Sequence, residues 1–336
     1  MTAPSAEDVL RARAAKLPAC LAEVAEGLAP EPRTGEAFVV TGIGGSEGPA
    51  RAMAALLRAT WGVRAAFVPL SAFLVGEPRA LGEVLVVFSQ ALSPNARLAL
   101  ARAGEFERAL LFTSSLAEDA RALLHANVRV VELPAAGGAA REAIEAEQGT
   151  LVRLLGPATA MLAAALSTGA ASPSDVPALL AALGSAEARA REAIAAPSDA
   201  ELEGPVAFVT AGGYGELCAA IATHWLEALY ATRPPILDVL ELAHGPFQAF
   251  YDRPILLVAL ERGDAERPLF DRLASMLVPG RHRLVRLTSS LPAPLAPLDH
   301  LAQAHELVCR AIRARPRDLF TWPGNGHDGP LYHLGK

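Results

Sequence analysis

The chain has 336 residues, of which 52% are hydrophobic and 20% charged, and its formal net charge at pH 7 is −6. This length accommodates two ordinary domains with full cores, and the apolar content excludes a disordered chain. The acidic balance argues against a nucleic-acid-binding protein, which usually presents a basic face.

The cysteines, lysines and apolar windows narrow the class of protein further. Cys20, Cys218 and Cys309 are odd in number and far apart, which is typical of reduced thiols in a cytosol. Residues 1–20 lack the apolar core of a signal peptide, and windows such as 158–170 are too short and Ala-rich for a membrane span. We therefore expect a soluble cytoplasmic protein. Because Lys16 and Lys336 are the only lysines, a mechanism with an internal Schiff-base lysine is disfavoured.

The first half of the chain alternates strands and helices. Helical spacing occurs at 5–28, 48–60 and 94–103. Buried apolar runs typical of strands occur at 37–40, 84–88, 109–112 and 128–131. This alternation predicts a parallel sheet with helices on both faces. Residues 139–196 are predicted to be mostly helical, with breaks near Pro157 and at 170–175.

The second half repeats the pattern. Strand candidates occur at 206–209, 236–240, 255–258 and 284–287, and helices are predicted at 216–230 and 297–314. Both halves open with a strand, a Gly-rich turn and a helix, about 170 residues apart, which indicates an internal duplication. The predicted organisation is an N-terminal helix (1–30), a first domain (31–170), a second domain with connecting helices (171–314) and a tail (315–336).

Polar and Gly-rich turns follow three of the predicted strands of the first half. The turn at 42–46 can direct backbone amides and a hydroxyl at an anion on the following helix N-terminus, although it matches neither a Walker loop nor the full dinucleotide pattern. Tight turns and helix capping are the alternative interpretation of such residues. Three successive turns of this kind favour a phosphate site, with candidate ligands Gly44, Gly45, Ser46, Ser89, Gln90, Ser93, Thr113 and Ser114.

Candidate acid–base residues lie in the second half. In Leu-Asp-Val-Leu-Glu-Leu-Ala-His-Gly-Pro (237–246), a strand pattern runs into a turn that places His244 at the carboxyl end of a strand, where open α/β sheets bind ligands. Glu227 follows His224 by one helical turn, so both lie on one helix face. A carboxylate near an imidazole can move a proton beside a carbonyl. A surface position for Glu227 and a turn-capping role for His244 are the structural alternatives. His327 and His333 make only a weak zinc signal.

These motifs together resemble the double sugar-isomerase (SIS) domain proteins, particularly the isomerase half of glucosamine-6-phosphate synthase and the fructosamine-phosphate deglycases. The resemblance covers roughly residues 5–320. Ile43-Gly44-Gly45-Ser46 is similar to the family's Cys-Gly-Thr-Ser, and Ser89-Gln90 to the start of its Ser-Gln-Ser-Gly loop. Glu241–Pro246 is similar to Glu-Leu-Lys-His-Gly-Pro, and Arg315–Leu319 to Gln-Pro-Arg-Asn-Leu.

The resemblance implies an α/β fold of two tandem SIS-type, flavodoxin-like three-layer sandwiches with parallel sheets, and a tail that covers the active site. It implies a homodimer that binds a phosphorylated sugar or amino sugar, with no metal or organic cofactor and with neither nucleic acid nor membrane as a partner. The implied activity is that of a sugar-phosphate aldose–ketose isomerase, or of a deglycase or deaminase, acting through an enediol or enamine.

The resemblance also assigns roles to residues. Glu227 would be the base, His244 the acid/base at the ring oxygen, reaching across a dimer interface, and His224 stands where the family has a lysine. The candidate phosphate ligands would hold the phosphate. Thr321 replaces another family lysine, and Ala91 and Leu92 replace a serine and a glycine of the phosphate loop.

Those departures imply an altered substrate, with an easier ring opening or no phosphate in the usual place. A non-catalytic sugar-phosphate-binding regulator is the alternative. The lost lysines favour it, whereas the retained Glu227 and His244 favour an enzyme. A third option is another chemistry at the same carbon, such as deamination or carbon–oxygen cleavage.

Overall fold

The computed structural model describes residues 4–31, 35–122, 124–134, 138–194 and 198–335. The chain divides into two compact units. Residues 16–176 and 320–336 form the first-sheet unit, and residues 1–15 and 177–319 form the second-sheet unit. The domain boundaries expected at 30, 170 and 314 stay a prediction.

The first-sheet unit is built on five parallel strands in the order β2-β1-β3-β4-β5. The strands are β1 (Ala37–Thr41), β2 (Arg64–Phe67), β3 (Val84–Phe88), β4 (Arg108–Thr113) and β5 (Val128–Glu132). Every residue of β1 and β3 is buried, as expected for parallel strands covered on both faces. The predicted α/β class with a parallel sheet is confirmed.

This strand order creates a crevice beside the ends of two neighbouring strands. Val39 of β1 pairs in parallel with Leu85 of β3, yet the chain leaves β1 toward β2 and leaves β3 toward β4. Ligands bind at such switch points, outside the carboxyl ends of the strands. The turn at 42–46 and the loop at 89–95 follow these two strands, so both line the crevice.

Strand β2 was not predicted from the sequence. It is a four-residue edge strand, Arg-Ala-Ala-Phe, in which Arg64 is exposed and Ala66 and Phe67 are half-buried. An edge strand lacks the continuous apolar run that marks a strand covered on both faces, so its sequence carries little signal.

Helices complete the first half of the chain: α1 (Ala6–Gly27), α2 (Glu47–Leu56), α3 (Ala72–Val75), α4 (Ala96–Ala101), α5 (Glu118–Ala122), α6 (Ala139–Glu145) and α7 (Leu155–Ser167). The helix predicted at 48–60 is α2, continued by a π-turn at Leu57–Trp61. The break expected near Pro157 lies instead at 146–154, because a proline in the first turn of a helix removes no internal hydrogen bond.

The second-sheet unit holds four parallel strands in the order β7-β6-β8-β9. The strands are β6 (Val206–Thr210), β7 (Ile236–Asp238), β8 (Ile255–Arg262) and β9 (His282–Ser289). Starting from its first strand in sequence, this sheet follows the same order of neighbours as the first four strands of the other sheet. The prediction of two parallel sheets is thus confirmed, whereas the internal duplication and the tandem arrangement of three-layer sandwiches stay predictions.

The remaining helices are α8 (Val176–Ala193), α9 (Asp199–Glu203), α10 (Ala219–Leu229), α11 (Val239–Ala243), α12 (Pro246–Phe250), α13 (Gly263–Met276), α14 (Ala296–Ala314) and α15 (Gly329–Tyr332). Helix α14 confirms the long helix predicted at 297–314. Helix α10 is preceded by a 3-10 turn at Tyr214–Cys218, so the predicted helix at 216–230 begins later than expected. Helix α13 was not predicted.

The strand predicted to run through residue 240 is wrong after Asp238. The Asp238 carboxylate accepts a hydrogen bond from the Leu240 backbone N–H at 2.8 Å, and the Glu241 carboxylate accepts one from the Asp238 N–H at 3.3 Å. This reciprocal capping box starts a helix. His244 therefore lies at the end of the one-turn helix α11, and not at the end of a strand.

Candidate functional site

The Gly-rich turn after β1 is a tight 3-10 turn that leads into α2. Gly44 has a φ of +55°, and the buried Ser46 donates its backbone N–H to the Ile43 carbonyl at 3.1 Å. A Cβ on Gly45 would lie 3.1 Å from Cγ of Pro157 and 3.4 Å from Nε2 of Gln90. The glycines thus allow both the left-handed backbone and a close approach of the turn to its neighbours.

The hydroxyls after β3 hold their own loop together. The Ser89 hydroxyl accepts a hydrogen bond from the Ser93 N–H at 3.0 Å, and the Ser93 hydroxyl accepts one from the Ala96 N–H at 3.4 Å. These bonds are the capping role that was the alternative interpretation of both serines. Each hydroxyl accepts in these bonds and keeps its own proton to donate, so capping leaves room for a ligand.

Leu92 has a backbone conformation that usually favours glycine. Its φ is +46°, in the left-handed region, and its side chain is 5% exposed. The side chain belongs to the apolar cluster on one face of the first sheet, with Val87 and Leu111. A left-handed conformation costs a non-glycine residue about 1–2 kcal/mol. Burial of a leucine stabilises by about 1.5–3 kcal/mol, which offsets that strain.

Thr113 and Ser114 connect the ends of β3 and β4. The Thr113 hydroxyl lies within hydrogen-bond distance of the carbonyl oxygens of Gln90 (3.1 Å) and Ser115 (2.9 Å) and donates its proton there. The backbone N–H groups of Ser114 and Ser115 each donate to the same Gln90 carbonyl at 2.9 Å. The Thr113 hydroxyl thereby fixes the spacing of the two loops, and the buried Ser114 lies beside it.

Arg153 and Glu147 belong to the same region and were not predicted as site residues. Arg153 donates from Nη1 to Oε1 of Gln90 at 3.0 Å. The buried Glu147 carboxylate accepts hydrogen bonds from the first backbone N–H groups of α7 and the residue before it: Leu154 (3.0 Å), Leu155 (2.9 Å) and Gly156 (3.3 Å). A carboxylate at a helix N-terminus is stabilised by these otherwise unpaired donors. The usual capping spacing could not reveal it, because Glu147 precedes the helix by eight residues.

A cavity of about 400 Å³ opens beside the Gly42–Ile43 end of the turn. Its apolar wall includes Phe67, Leu70, Leu74, Leu98 and Leu334. Leu334 comes from the C-terminal tail, which is anchored where the Asn95 side chain donates to the Leu331 carbonyl at 2.9 Å. The tail therefore contributes to the carboxyl edge of the first sheet.

The second-sheet unit holds a buried cluster of acid–base side chains. His224 and Glu227 lie one turn apart on α10 and are 3% and 7% exposed. Nε2 of His224 lies 2.9 Å from Nδ1 of His305 on α14, whose Nε2 lies 3.1 Å from the Leu10 carbonyl. This arrangement excludes the surface role considered for Glu227.

The hydrogen bonds from His224 to His305 and from His305 to the Leu10 carbonyl fix the tautomers of the two imidazole rings. The Leu10 carbonyl can only accept, so His305 carries its proton on Nε2 and accepts at Nδ1. His224 must then donate from its own Nε2, which leaves Nδ1 with the lone pair whenever the His224 ring is neutral. Burial lowers the pKa of His305 to about 4, which keeps that ring neutral near pH 7.

His244 does not belong to this buried cluster. It is an exposed residue that ends α11, followed by Gly245 with a φ of +143° and by Pro246 at the start of α12. Its exposure leaves the ring accessible to another surface. The role of His244 as an acid/base, and its reach across a dimer interface, stay predictions.

The described ranges hold neither a metal-binding cluster nor a membrane-spanning helix. No group of three or more His, Cys, Asp or Glu side chains within those ranges is placed to hold a metal ion. No helix in the same part of the chain has the length and apolar content needed to cross a membrane.

Comparisons with known proteins show the fold. Neither the protein-family models nor the curated proteins include a match to this sequence. Solved structures do match over nearly the whole chain. Glucosamine-6-phosphate deaminase from Thermotoga maritima has a TM-score of 0.69 at 15% identity, covering 93% of this chain and 97% of that one. Tagatose-6-phosphate ketose/aldose isomerase from Escherichia coli has a TM-score of 0.66 at 15% identity, with coverages of 96% and 98%.

A third similar structure is the C-terminal domain of glucosamine-fructose-6-phosphate aminotransferase from Francisella tularensis. Its TM-score is 0.64 at 11% identity, covering 90% of this chain and 95% of that domain. At sequence identities of 11–15%, the similarity extends to the backbone fold and not to the residues of a site. The chain therefore shares the fold of these proteins, and its chemistry must be argued from its own residues.

Proposed function

We propose that this protein acts on a phosphorylated sugar, as an aldose–ketose isomerase or as a related deaminase or deglycase. The observation that carries the proposal is the pairing of Glu227 and His224 on one buried face of α10, with His305 behind His224. A buried carboxylate beside an imidazole is equipment for moving protons, and it is costly to maintain in a core without use. The names of the three similar structures all refer to phosphorylated sugars, which supports this choice of substrate class.

In the proposed mechanism, Glu227 removes the proton from the carbon beside the substrate carbonyl. An enediol forms, or an enamine when the substrate carries an amino group, and Glu227 returns the proton to the neighbouring carbon. When its ring is neutral, His224 directs its Nε2–H to His305 and carries its lone pair on Nδ1. His244 is proposed as the acid/base at the ring oxygen.

The phosphate is proposed to bind at the first-sheet switch point. Backbone amides of a Gly-rich turn and hydroxyl protons suit a phosphate in a protein of negative net charge, because they bind it locally. The proposed ligands are Gly44, Gly45, Ser46, Ser89, Gln90, Ser93 and Ser114, with Thr113 fixing the spacing of their loops.

Hydrogen exchange into the substrate tests the proposal. The protein is incubated in D₂O with a pool of hexose 6-phosphates and amino-sugar 6-phosphates, and NMR follows deuterium at the carbon beside the carbonyl. Incorporation should disappear in Glu227→Gln, which preserves the side-chain shape but removes the base. Glu266→Gln is the matched control, because Glu266 is also a buried glutamate of the second-sheet unit but is paired with Arg262.

The outcomes separate an enzyme from a regulator. Exchange in the wild type and in Glu266→Gln, but not in Glu227→Gln, would support the mechanism. Exchange that persists in Glu227→Gln would refute the role of that carboxylate. Saturable binding of a sugar phosphate without exchange would identify the alternative, a non-catalytic regulator.

A further inference from the structure

The cavity of about 400 Å³ in the first-sheet unit is distinct from the proposed phosphate site. It opens between the turn after β1, the segment that follows β2, and helices α3 and α4. None of the eight candidate phosphate ligands is among the described residues that line it. Pockets for small ligands in proteins have volumes of about 300–1,000 Å³. The cavity is therefore large enough for a ligand of its own.

The mouth of the cavity is apolar. Its lining includes Ile43, Leu74 and Leu334, whose side chains are 47%, 50% and 48% exposed. Single exposed apolar residues are ordinary, but several of them around one concavity mark a binding surface. A ligand that fills the cavity would take these three side chains out of water, which stabilises the bound state.

The charged residues of the described lining bind each other. Nε of Arg51 donates to Oε1 of Glu47 at 2.7 Å, and Cζ of Arg51 lies 4.1 Å from the centre of the Phe67 ring. An ionic ligand of either sign would have to displace one member of this ion pair or lie beside a like charge. The cavity therefore favours an uncharged ligand.

The side-chain amide of Asn95 offers a polar contact at the same place. Asn95 lines the cavity, and its Nδ2 donates to the Leu331 carbonyl at 2.9 Å. Because a carbonyl oxygen can only accept, this bond fixes the orientation of the amide and leaves Oδ1 as the other end. Oδ1 is buried and has no hydrogen-bond partner among the described residues. A hydroxyl or an uncharged N–H group of a ligand would satisfy it.

The C-terminal tail closes one side of the cavity. Leu334 belongs to the wall, and the Leu331 carbonyl is bonded to Asn95. A Cβ on Gly335 would lie only 1.9 Å from the Pro94 carbonyl oxygen, so the tail backbone packs directly on the residue before Asn95. One wall of the cavity thus exists only while the tail is docked. A ligand that needs this wall must in turn stabilise the docked tail.

We propose that this cavity binds a small uncharged molecule with an apolar ring or branched chain and one hydrogen-bond donor, and that the bound molecule holds the tail on the first-sheet unit. The apolar part contacts the leucine side chains and Phe67, and the donor bonds to Oδ1 of Asn95. The inference uses neither the phosphate ligands nor Glu227, so it can fail or succeed independently of the proposed function.

Ligand-observed NMR titrations of the full chain with benzyl alcohol and with its isomer anisole test the site. The two probes contain the same atoms, but only benzyl alcohol has a hydroxyl proton to donate. Leu98→Trp fills the cavity, because the half-buried Leu98 lines it. Leu81→Trp is the matched control, because Leu81 is an exposed leucine of the same unit outside the described lining. Asn95→Leu removes the acceptor.

Both probes should bind saturably to the wild type and equally well to Leu81→Trp. Leu98→Trp should raise both Kd values about tenfold or more, because the indole occupies the space of the ring. Asn95→Leu should raise the Kd of benzyl alcohol about tenfold relative to that of anisole, because only the hydroxyl loses its acceptor. No saturable binding to the wild type, or wild-type affinity in Leu98→Trp, would overturn the inference. An unchanged ratio of the two Kd values in Asn95→Leu would refute the role of Oδ1.

Hydrogen exchange in the tail tests the second part of the inference without any variant. The backbone N–H of Tyr332 donates to the Asp328 carbonyl at 2.9 Å, and that of His333 donates to the Gly329 carbonyl at 3.0 Å. Benzyl alcohol at about ten times its Kd should slow exchange at both amides by about tenfold, because it binds only the docked tail. Exchange at both amides that is unchanged by saturating benzyl alcohol would refute the coupling between the ligand and the tail.

Discussion

Acid should destabilise the second-sheet unit through two buried histidines of α14. The Tyr214 hydroxyl donates to Nδ1 of His300 at 2.9 Å, and Nε2 of His300 donates to the Glu261 carbonyl at 3.2 Å. Burial lowers the pKa of His300 to about 4, and it lowers that of His305 to about 4 as well. Both rings are therefore folded into the core in their neutral forms.

The direction and size of the effect follow from the two pKa values. An unfolded histidine titrates near ~6.5, so between about pH 6.5 and 4 the unfolded chain binds protons that the native chain does not. The free energy of unfolding is therefore constant above this window and falls as the pH decreases through it. At pH 5 each histidine should remove about 2 kcal/mol, and the pair about 4 kcal/mol, relative to pH 7.

Urea unfolding at pH 7 and pH 5 measures this loss. In a Trp61→Phe, Trp322→Phe background, Trp225 remains as the fluorophore, and it lies buried in the second-sheet unit against Phe208. His300→Gln keeps a donor for the Glu261 carbonyl but cannot be protonated, so the loss between pH 7 and pH 5 should shrink from about 4 to about 2 kcal/mol.

The exposed His327 supplies the control for this experiment. His327→Gln should leave the loss between pH 7 and pH 5 unchanged. If His300→Gln lost as much free energy of unfolding between pH 7 and pH 5 as the wild type, the reasoning would be refuted. That result would mean that the pKa of His300 is not lowered in the folded protein.

Two further predictions concern the first-sheet unit. Leu92→Gly relieves the left-handed strain, but it removes a buried leucine and adds entropy to the unfolded state. It should therefore lower the free energy of unfolding in urea by about 1–2 kcal/mol. An unchanged or raised urea midpoint would show that the strain outweighs the burial. Glu147→Gln removes the charge that accepts the first amides of α7, so hydrogen exchange at Leu155 and Gly156 should accelerate about tenfold or more. Native-like protection of those two amides in Glu147→Gln would contradict the capping role.

The strands with the clearest signal in the sequence are those covered on both faces, although edge strands β5, β7 and β9 were predicted as well. The sequences of β1, β3, β4 and β6 are almost continuously apolar, because strands covered on both faces have few positions that face water. Such runs can be recognised without knowing which strands pair with them. Edge strand β2 has only one well-buried residue in four, so its position was decided by pairing with β1 rather than by its own composition.

Local hydrogen bonds explain why other expectations from the sequence were wrong. Leu237 and Leu240 suggest a buried strand, but the capping box of Asp238 and Glu241 converts the segment to helix and moves His244 with it. Arg153 could not be assigned from spacing because its partner Gln90 is distant in sequence, and Glu147 could not because it lies eight residues before the helix that it caps. The pairing of Glu227 with His224 was accessible, because helical periodicity alone places them on one face.

The histidine at position 224 differs physically from the lysine that the resembled family has there. A lysine is a compact cation at any pH near 7, whereas His224 is part of a chain in which His305 accepts and must stay neutral to do so. The ring at position 224 therefore links α10 to α14 through a hydrogen bond, where a lysine would bring a fixed positive charge.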